Sequence, residues 1–153
     1  MNYCVFIPLL VGAAFCVYQM SVADFRRRII PDVYLFPFML IGLIIICFTP
    51  WVSSPSESVV AAAFGYGMGA IIGWIFEKFK KNTSEFSPIG MGDIKLLAAG
   101  GIWLGMTGLA LAIVISCIIG GIWGLRKKQK YIPFAPFFFI GGIFALIGMW
   151  FLI

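Results

Sequence analysis

Asp93 stands directly after Gly90-Met91-Gly92 and directly before Ile94-Lys95-Leu96-Leu97, the start of a long apolar run. A carboxylate on a bilayer-spanning helix costs about 3 kcal/mol near the bilayer centre, and such acids mark functional sites. Asp24 closes the first apolar run of the chain in the same way. Two carboxylates brought together in a poor dielectric cannot both ionise readily, so they share one proton and titrate as a unit. The ionised member can take a proton from water while the protonated member donates to a carbonyl oxygen. That chemistry hydrolyses an amide with neither a covalent intermediate nor a metal. Asp24 and Asp93 are therefore the candidate acid–base pair. Gly90 and Gly92 allow another backbone, such as a substrate strand, to come close to the second acid.

The rest of the chain is a membrane sequence. Its 153 residues are 62% hydrophobic and 11% charged, with a mean hydropathy of +1.06. A soluble domain of this size could not cover so much apolar surface. The net charge of +5 is concentrated in residues 26–28, 78–81 and 126–130, each between apolar segments. That distribution fits positively charged cytoplasmic loops, so no nucleic-acid partner is needed to explain it. The chain has no histidine, which excludes His-dependent hydrolases and HExxH metal sites. Cys4, Cys16, Cys47 and Cys117 lie in apolar runs without a C-x-x-C pair. They read as small buried side chains, and no metal or other cofactor is expected.

A spanning helix needs roughly 20 apolar residues. Residues 3–23 supply the first, a retained helix and not a cleaved signal peptide, since no basic segment precedes it. Asp24 ends it, and Phe25 with Arg26, Arg27 and Arg28 forms a cationic loop. Asp32 has the position of an N-cap before a second run over residues 33–50, with Pro37 in its first turns. Residues 51–58 form a turn without Lys or Arg. The third span covers residues 59–76, where Gly65, Gly69 and Gly73 share one face at the spacing that lets helices approach closely. Residues 77–87 are expected to be a polar loop.

Residues 94–125 are too long for one span and short for two. Loop charge decides between them. One span would put residues 126–130 across the membrane from 78–81, whereas two short spans broken near Gly105-Met106-Thr107-Gly108 keep all three basic clusters on one side. Residues 134–153 make the last span. The expected fold is an all-α integral membrane protein with six transmembrane helices, both termini non-cytoplasmic, and residues 1–153 forming a single domain. Asp24 then ends an inward-running helix and Asp93 begins an outward-running one. Both fall near the cytoplasmic face.

Each acid also has a plainer role. Asp93 suits a helix N-cap facing the positive end of the helix, and Asp24 an ion pair with Arg27 or Arg28. Lys95 reads as a snorkelling residue that could also tune the charge of the pair. Asp32 is expected to cap a helix, and Glu57, Glu77 and Glu85 to be loop or helix-end acids. Two acids at one depth, in a chain with only six, favour the functional reading.

At these residues the chain resembles the type IV prepilin peptidases, membrane aspartic proteases of the G-x-G-D class. The matching parts are Asp24-Phe25-Arg26 with Ile30-Pro31-Asp32, then Gly90-Met91-Gly92-Asp93-Ile94-Lys95, and last Pro133-Phe134-Ala135-Pro136. The resemblance implies an endopeptidase of the cytoplasmic (inner) membrane that removes the short basic leader of prepilins or pilin-like precursors. It also implies that Asp24 and Asp93 are catalytic. Larger members of the family carry an N-terminal domain with paired C-x-x-C motifs linked to methylation. This chain lacks those cysteines, so it resembles the short form of tight-adherence pilus systems or of archaeal relatives. The resemblance does not extend to N-methyltransferase activity. Intramembrane signal-peptide peptidases share G-x-G-D, but their first aspartate follows a tyrosine, and here Ala23 precedes Asp24.

Two rivals come from other classes. A small transporter or channel subunit would use Asp24 and Asp93 as ion or proton ligands. An assembly subunit would use both only as caps and ion-pair partners.

Overall fold

A computed structural model describes residues 3–49, 53–79, 90–128 and 132–152. The described residues form five helices: α1 Tyr3–Arg27, α2 Asp32–Phe48, α3 Pro55–Phe79, α4 Met91–Lys127 and α5 Phe134–Leu152. Four of them, α1, α3, α4 and α5, are long and apolar enough to cross a membrane, and α2 is a shorter apolar helix. The chain is thus an all-helical, multi-pass membrane protein. Glu85, Lys80, Lys81 and Lys130 lie outside the described residues.

Helix ends differ from the expected ones, for electrostatic reasons. α1 does not stop at Asp24 but continues through Arg26 and Arg27 in its last turn, where cations complement the negative end of the helix dipole. Arg28, at φ 56°, then turns the chain out of the helix. Asp32 is not the N-cap of α2. Pro31 occupies that position in extended geometry, and Asp32 is the first helical residue. α3 runs on to Phe79, so Glu77 is helical and not in a loop.

Gly105 divides α4. Its φ of 66° and ψ of −172° are non-helical, in a region open essentially to glycine alone. The chain reverses there. A Cβ placed on Gly65 would stand 2.7 Å from Leu97 O and 3.1 Å from Leu109 Cδ2. Along a straight helix those two residues would be about 18 Å apart. α4 is therefore two antiparallel halves, 91–104 and 106–127, folded against each other at Gly105.

Small residues set the packing around these halves. Gly65 and Gly69 of α3 lie against Leu97 and Ile94, and Gly101 lies against the backbone of Ala61 and Ala62. The glycine face expected to permit close approach thus receives the first half of α4. Gly120 and Gly124 on the second half lie against Phe137 and Ile132, and Gly141 of α5 approaches Ala112 O. On the other side, Trp103 stacks on Phe38 with ring centroids 5.0 Å apart. Its Nε1–H donates to Phe38 O at 3.1 Å, joining α2 to α4. These contacts fix the directions of the helices. The C-terminus of α1 and the N-termini of α2, of α4 and of α5 meet at one end of the bundle. Gly105 sits at the other, beside Ser53 and Glu57.

Candidate active site

The site forms where α1 ends and α4 and α5 begin. Asp24 lies in the last turn of α1 and is only 5% exposed. Its Oδ2 accepts a hydrogen bond of 2.8 Å from the Ala135 backbone N–H, and the Phe134 N–H points at the same carboxylate. The residues around them explain why. Pro133 and Pro136 have no N–H, so the first turn of α5 offers the donors of Phe134 and Ala135, two of the orphan donors that every helix start carries. A buried carboxylate at the positive end of a helix meets both needs at once. Arg28, four residues on, also acts on Asp24 through its charge.

Asp93 is the third helical residue of α4, with Gly90 as N-cap in extended geometry (φ −75°, ψ 153°). The two residues bond reciprocally. The Asp93 N–H donates to Gly90 O at 3.0 Å, and Asp93 Oδ2 accepts from the Gly90 N–H at 3.2 Å. The plainer role expected for Asp93 is thus present in altered form: it caps α4 from inside the first turn. One oxygen is engaged in this way, on a side chain that is only half-buried. Asp24 and Asp93 stand at the same end of the bundle, where Ile30 of the loop after α1 packs against Gly92 beside Asp93.

The other motif residues take distinct parts. At Gly92 an added Cβ would stand 3.0 Å from Ile30 Cβ, in the loop between α1 and α2. A close approach at this glycine is thus made by the chain itself. At Gly90 the nearest neighbour of such an atom is Asp93 Oδ2, at 3.5 Å. Lys95 is held by Asp32, with Nζ 2.7 Å from Asp32 Oδ2, and its ammonium lies 5.6 Å from the centre of the Phe36 ring. Asp32 and Lys95 therefore join the start of α2 to the start of α4. No group of three or more metal-ligating side chains occurs among the described residues.

The donors of α5 are backbone groups, which side-chain motifs do not display. Their signal was the pair of prolines at 133 and 136, which mark a helix start whose remaining N–H groups need an acceptor.

Comparison with known proteins identifies the family. The model of the type IV leader peptidase family matches residues 10–125. A prepilin leader peptidase/N-methyltransferase of Pseudomonas putida is 30% identical over 146 residues, covering 91% of this chain and 49% of the relative. One of Pseudomonas aeruginosa is 34% identical over 135 residues, 84% of this chain and 45% of the relative. One of Xanthomonas campestris is 32% identical over 130 residues, 80% and 44% respectively. The chain spans about half the length of the curated relatives it matches. No solved structure matches it. With both aspartate motifs inside the matched region, the chain belongs to the type IV leader peptidase family.

Proposed function

We propose that this protein is an aspartic endopeptidase that removes the leader peptide of type IV prepilins or pilin-like precursors. The family membership and the names of the relatives support the substrate class. One observation carries the chemistry: Asp24 and Asp93, 69 residues apart in sequence, stand at one end of the bundle, Asp24 in the last turn of α1 and Asp93 in the first turn of α4, where Gly92 packs against Ile30 of the loop that follows α1.

In the proposed reaction a water molecule lies between the two acids, which hold one proton jointly. The ionised carboxylate takes a proton from the water as its oxygen bonds to the scissile carbonyl carbon. The protonated carboxyl gives its proton to the carbonyl oxygen. Collapse of the tetrahedral diol breaks the C–N bond, and a proton passes to the leaving amine. The Phe134 and Ala135 N–H groups hold Asp24 in one orientation throughout, as a positioned catalytic group requires.

The proposal includes a topology. Counting the two halves of α4 separately gives six spans, with both termini on the non-cytoplasmic side. Arg26, Arg27, Arg28, Lys78, Arg126, Lys127 and Lys128 are then on the cytoplasmic side with the two acids. The reversal at Gly105 and the charge bias of the loops support this reading. A precursor whose leader lies in the cytoplasm would meet the acids on that side.

Purified protein, reconstituted with a pilin precursor, tests the assignment. Asp24→Asn and Asp93→Asn should each lower cleavage about 100-fold or more, while both variants stay folded and inserted. Normal processing by either folded variant would refute the role of that acid.

A further inference from the structure

Asp24 sits in the last turn of α1, and helix ends fray unless something holds them. This turn is held at two points. One is the hydrogen bond from the Ala135 N–H to Asp24 Oδ2. The other is the ring of Phe25, which meets Trp123 of the second half of α4 edge to face, with centroids 6.1 Å apart and planes at 82°. Trp123 packs in turn on Phe137 in the first turn of α5, with centroids 5.5 Å apart. We infer that Trp123 is a positioning residue for Asp24: through Phe25 it sets where that acid stands relative to α4, the helix that carries Asp93. The inference rests on the peptidase reading and adds to it a residue outside the aspartate motifs.

Three features carry this role. The first is the gap between the helices. Among the described residues no Cα of α1 comes within 8 Å of a Cα of α4. Backbone packing therefore does not fix the two acid-bearing helices against each other, and large side chains have to bridge them. The second is direction. Neighbouring residues on a helix point about 100° apart, so a ring held at 25 fixes the rotation of the turn and the direction in which Asp24 leaves it. The third is closure. α1 is joined to α5 by Asp24 and Ala135, α5 to α4 by Phe137, and α4 back to α1 by Trp123. Sliding or rotating any one of the three helices breaks a side of that triangle. Phe137 is a firm support, being 6% exposed and seated over Gly120, where an added Cβ would stand 3.4 Å from its ring. Phe25 is 50% exposed, so what it contributes is the edge-to-face contact more than the filling of a core. Aromatic pairs at these separations favour that geometry.

The test is steady-state cleavage of a full-length pilin precursor by the full chain in phosphatidylethanolamine–phosphatidylglycerol vesicles, with the melting temperature measured beside it. Trp123→Ala should lower kcat about tenfold and leave KM within about twofold, as expected when a catalytic group is misplaced but the substrate still binds. Trp123→Phe, which keeps a ring for Phe25, should recover most of the rate. Phe25→Ala should reproduce the loss. The double variant, Phe25→Ala with Trp123→Ala, should be no slower than the slower single one, because both remove the same contact. Leu109→Ala is the structural control. Leu109 is 1% exposed and lies toward Gly105, so its loss should lower the melting temperature through a cavity and leave kcat unchanged. Full kcat in a folded Trp123→Ala or Phe25→Ala protein would overturn the inference and leave the peptidase reading standing. So would losses that multiply in the double variant, or an equal loss in Leu109→Ala. Should Trp123→Ala fail to fold, Phe25→Ala and Trp123→Phe decide by the same kcat and KM. An unsubstituted protein that cleaves no precursor would overturn the peptidase reading and the inference together.

Discussion

Asp24 Oδ2 and the Ala135 backbone N–H, 111 residues apart in sequence, are joined by a 2.8 Å hydrogen bond that ties the end of α1 to the start of α5. The same carboxylate is thus a structural cap and a candidate catalyst. The two roles separate by substitution. Asparagine keeps an oxygen acceptor for the α5 donors but cannot exchange a proton as the acid does. Alanine removes the acceptor and leaves buried N–H groups without it, which costs about 1–3 kcal/mol. Asp24→Asn should therefore melt close to the wild-type temperature in detergent and be inactive, whereas Asp24→Ala should melt measurably lower and be inactive. An active Asp24→Asn protein would reduce Asp24 to its capping role.

The ion pair between Lys95 and Asp32 makes a second distinction. Lys95 lies two residues beyond Asp93, so its charge could act on the acids, yet its Nζ is held by Asp32 at 2.7 Å. A partly exposed pair of this kind contributes at most about 1 kcal/mol. Its effect should be on the placement of α4 against the α1–α2 loop. Lys95→Asp should lower cleavage several-fold, and the double variant Asp32→Lys with Lys95→Asp should recover most of it. The inflections of the pH–rate profile should not move with Lys95→Met. A shifted profile would mean that Lys95 tunes the acids directly.

Much of this arrangement was legible in the chain. The apolar runs marked the helices, and the basic clusters required a break near Gly105, because an unbroken helix would have separated like-charged loops. Gly65 and Gly69 announced a close helix contact, and the first half of α4 fills it. The two acids stood out because a membrane sequence has few. What escaped notice depends on partners distant in sequence. Nothing near Asp32 points to Lys95, 63 residues away, so Asp32 read as a cap. α1 and α3 outrun the apolar runs that mark them, because Arg26, Arg27 and Lys78 suit the negative end of a helix. The donors of Phe134 and Ala135 belong to the backbone, which side-chain motifs do not display.

Gly105 offers a prediction about the fold itself. Its positive φ, with ψ near 180°, strains any other residue by about 1–3 kcal/mol. A Cβ there would also stand 2.8 Å from Ser53 Cβ. Gly105→Ala should lower the melting temperature clearly. Gly67→Ala is the comparison, since an added Cβ at that helical position meets nothing within 4 Å. It should be neutral or stabilising, as alanine is the better helix former. Equal melting temperatures for the two variants would remove the case for a strained reversal at Gly105.

The two glycines before Asp93 should not be equivalent, although they stand in one short motif. Gly90 has φ −75° and ψ 153°, a conformation open to alanine, and an added Cβ would meet only Asp93 Oδ2, at 3.5 Å. Gly92 faces Ile30 Cβ at 3.0 Å, so any side chain there pushes the start of α4 away from the loop that follows Asp24. Asp93 sits on the first of these elements and Asp24 in the helical turn that leads into the second, and displacing a positioned catalytic group by even 1 Å can lower a rate by about 100-fold. Cleavage should accordingly fall little in Gly90→Ala, more in Gly92→Ala and most in Gly92→Val, as initial rates with a pilin precursor would report. A Gly90→Ala protein as impaired as Gly92→Val would show instead that the substrate's own backbone passes over Gly90, and would transfer to that residue the close approach that Ile30 makes at Gly92.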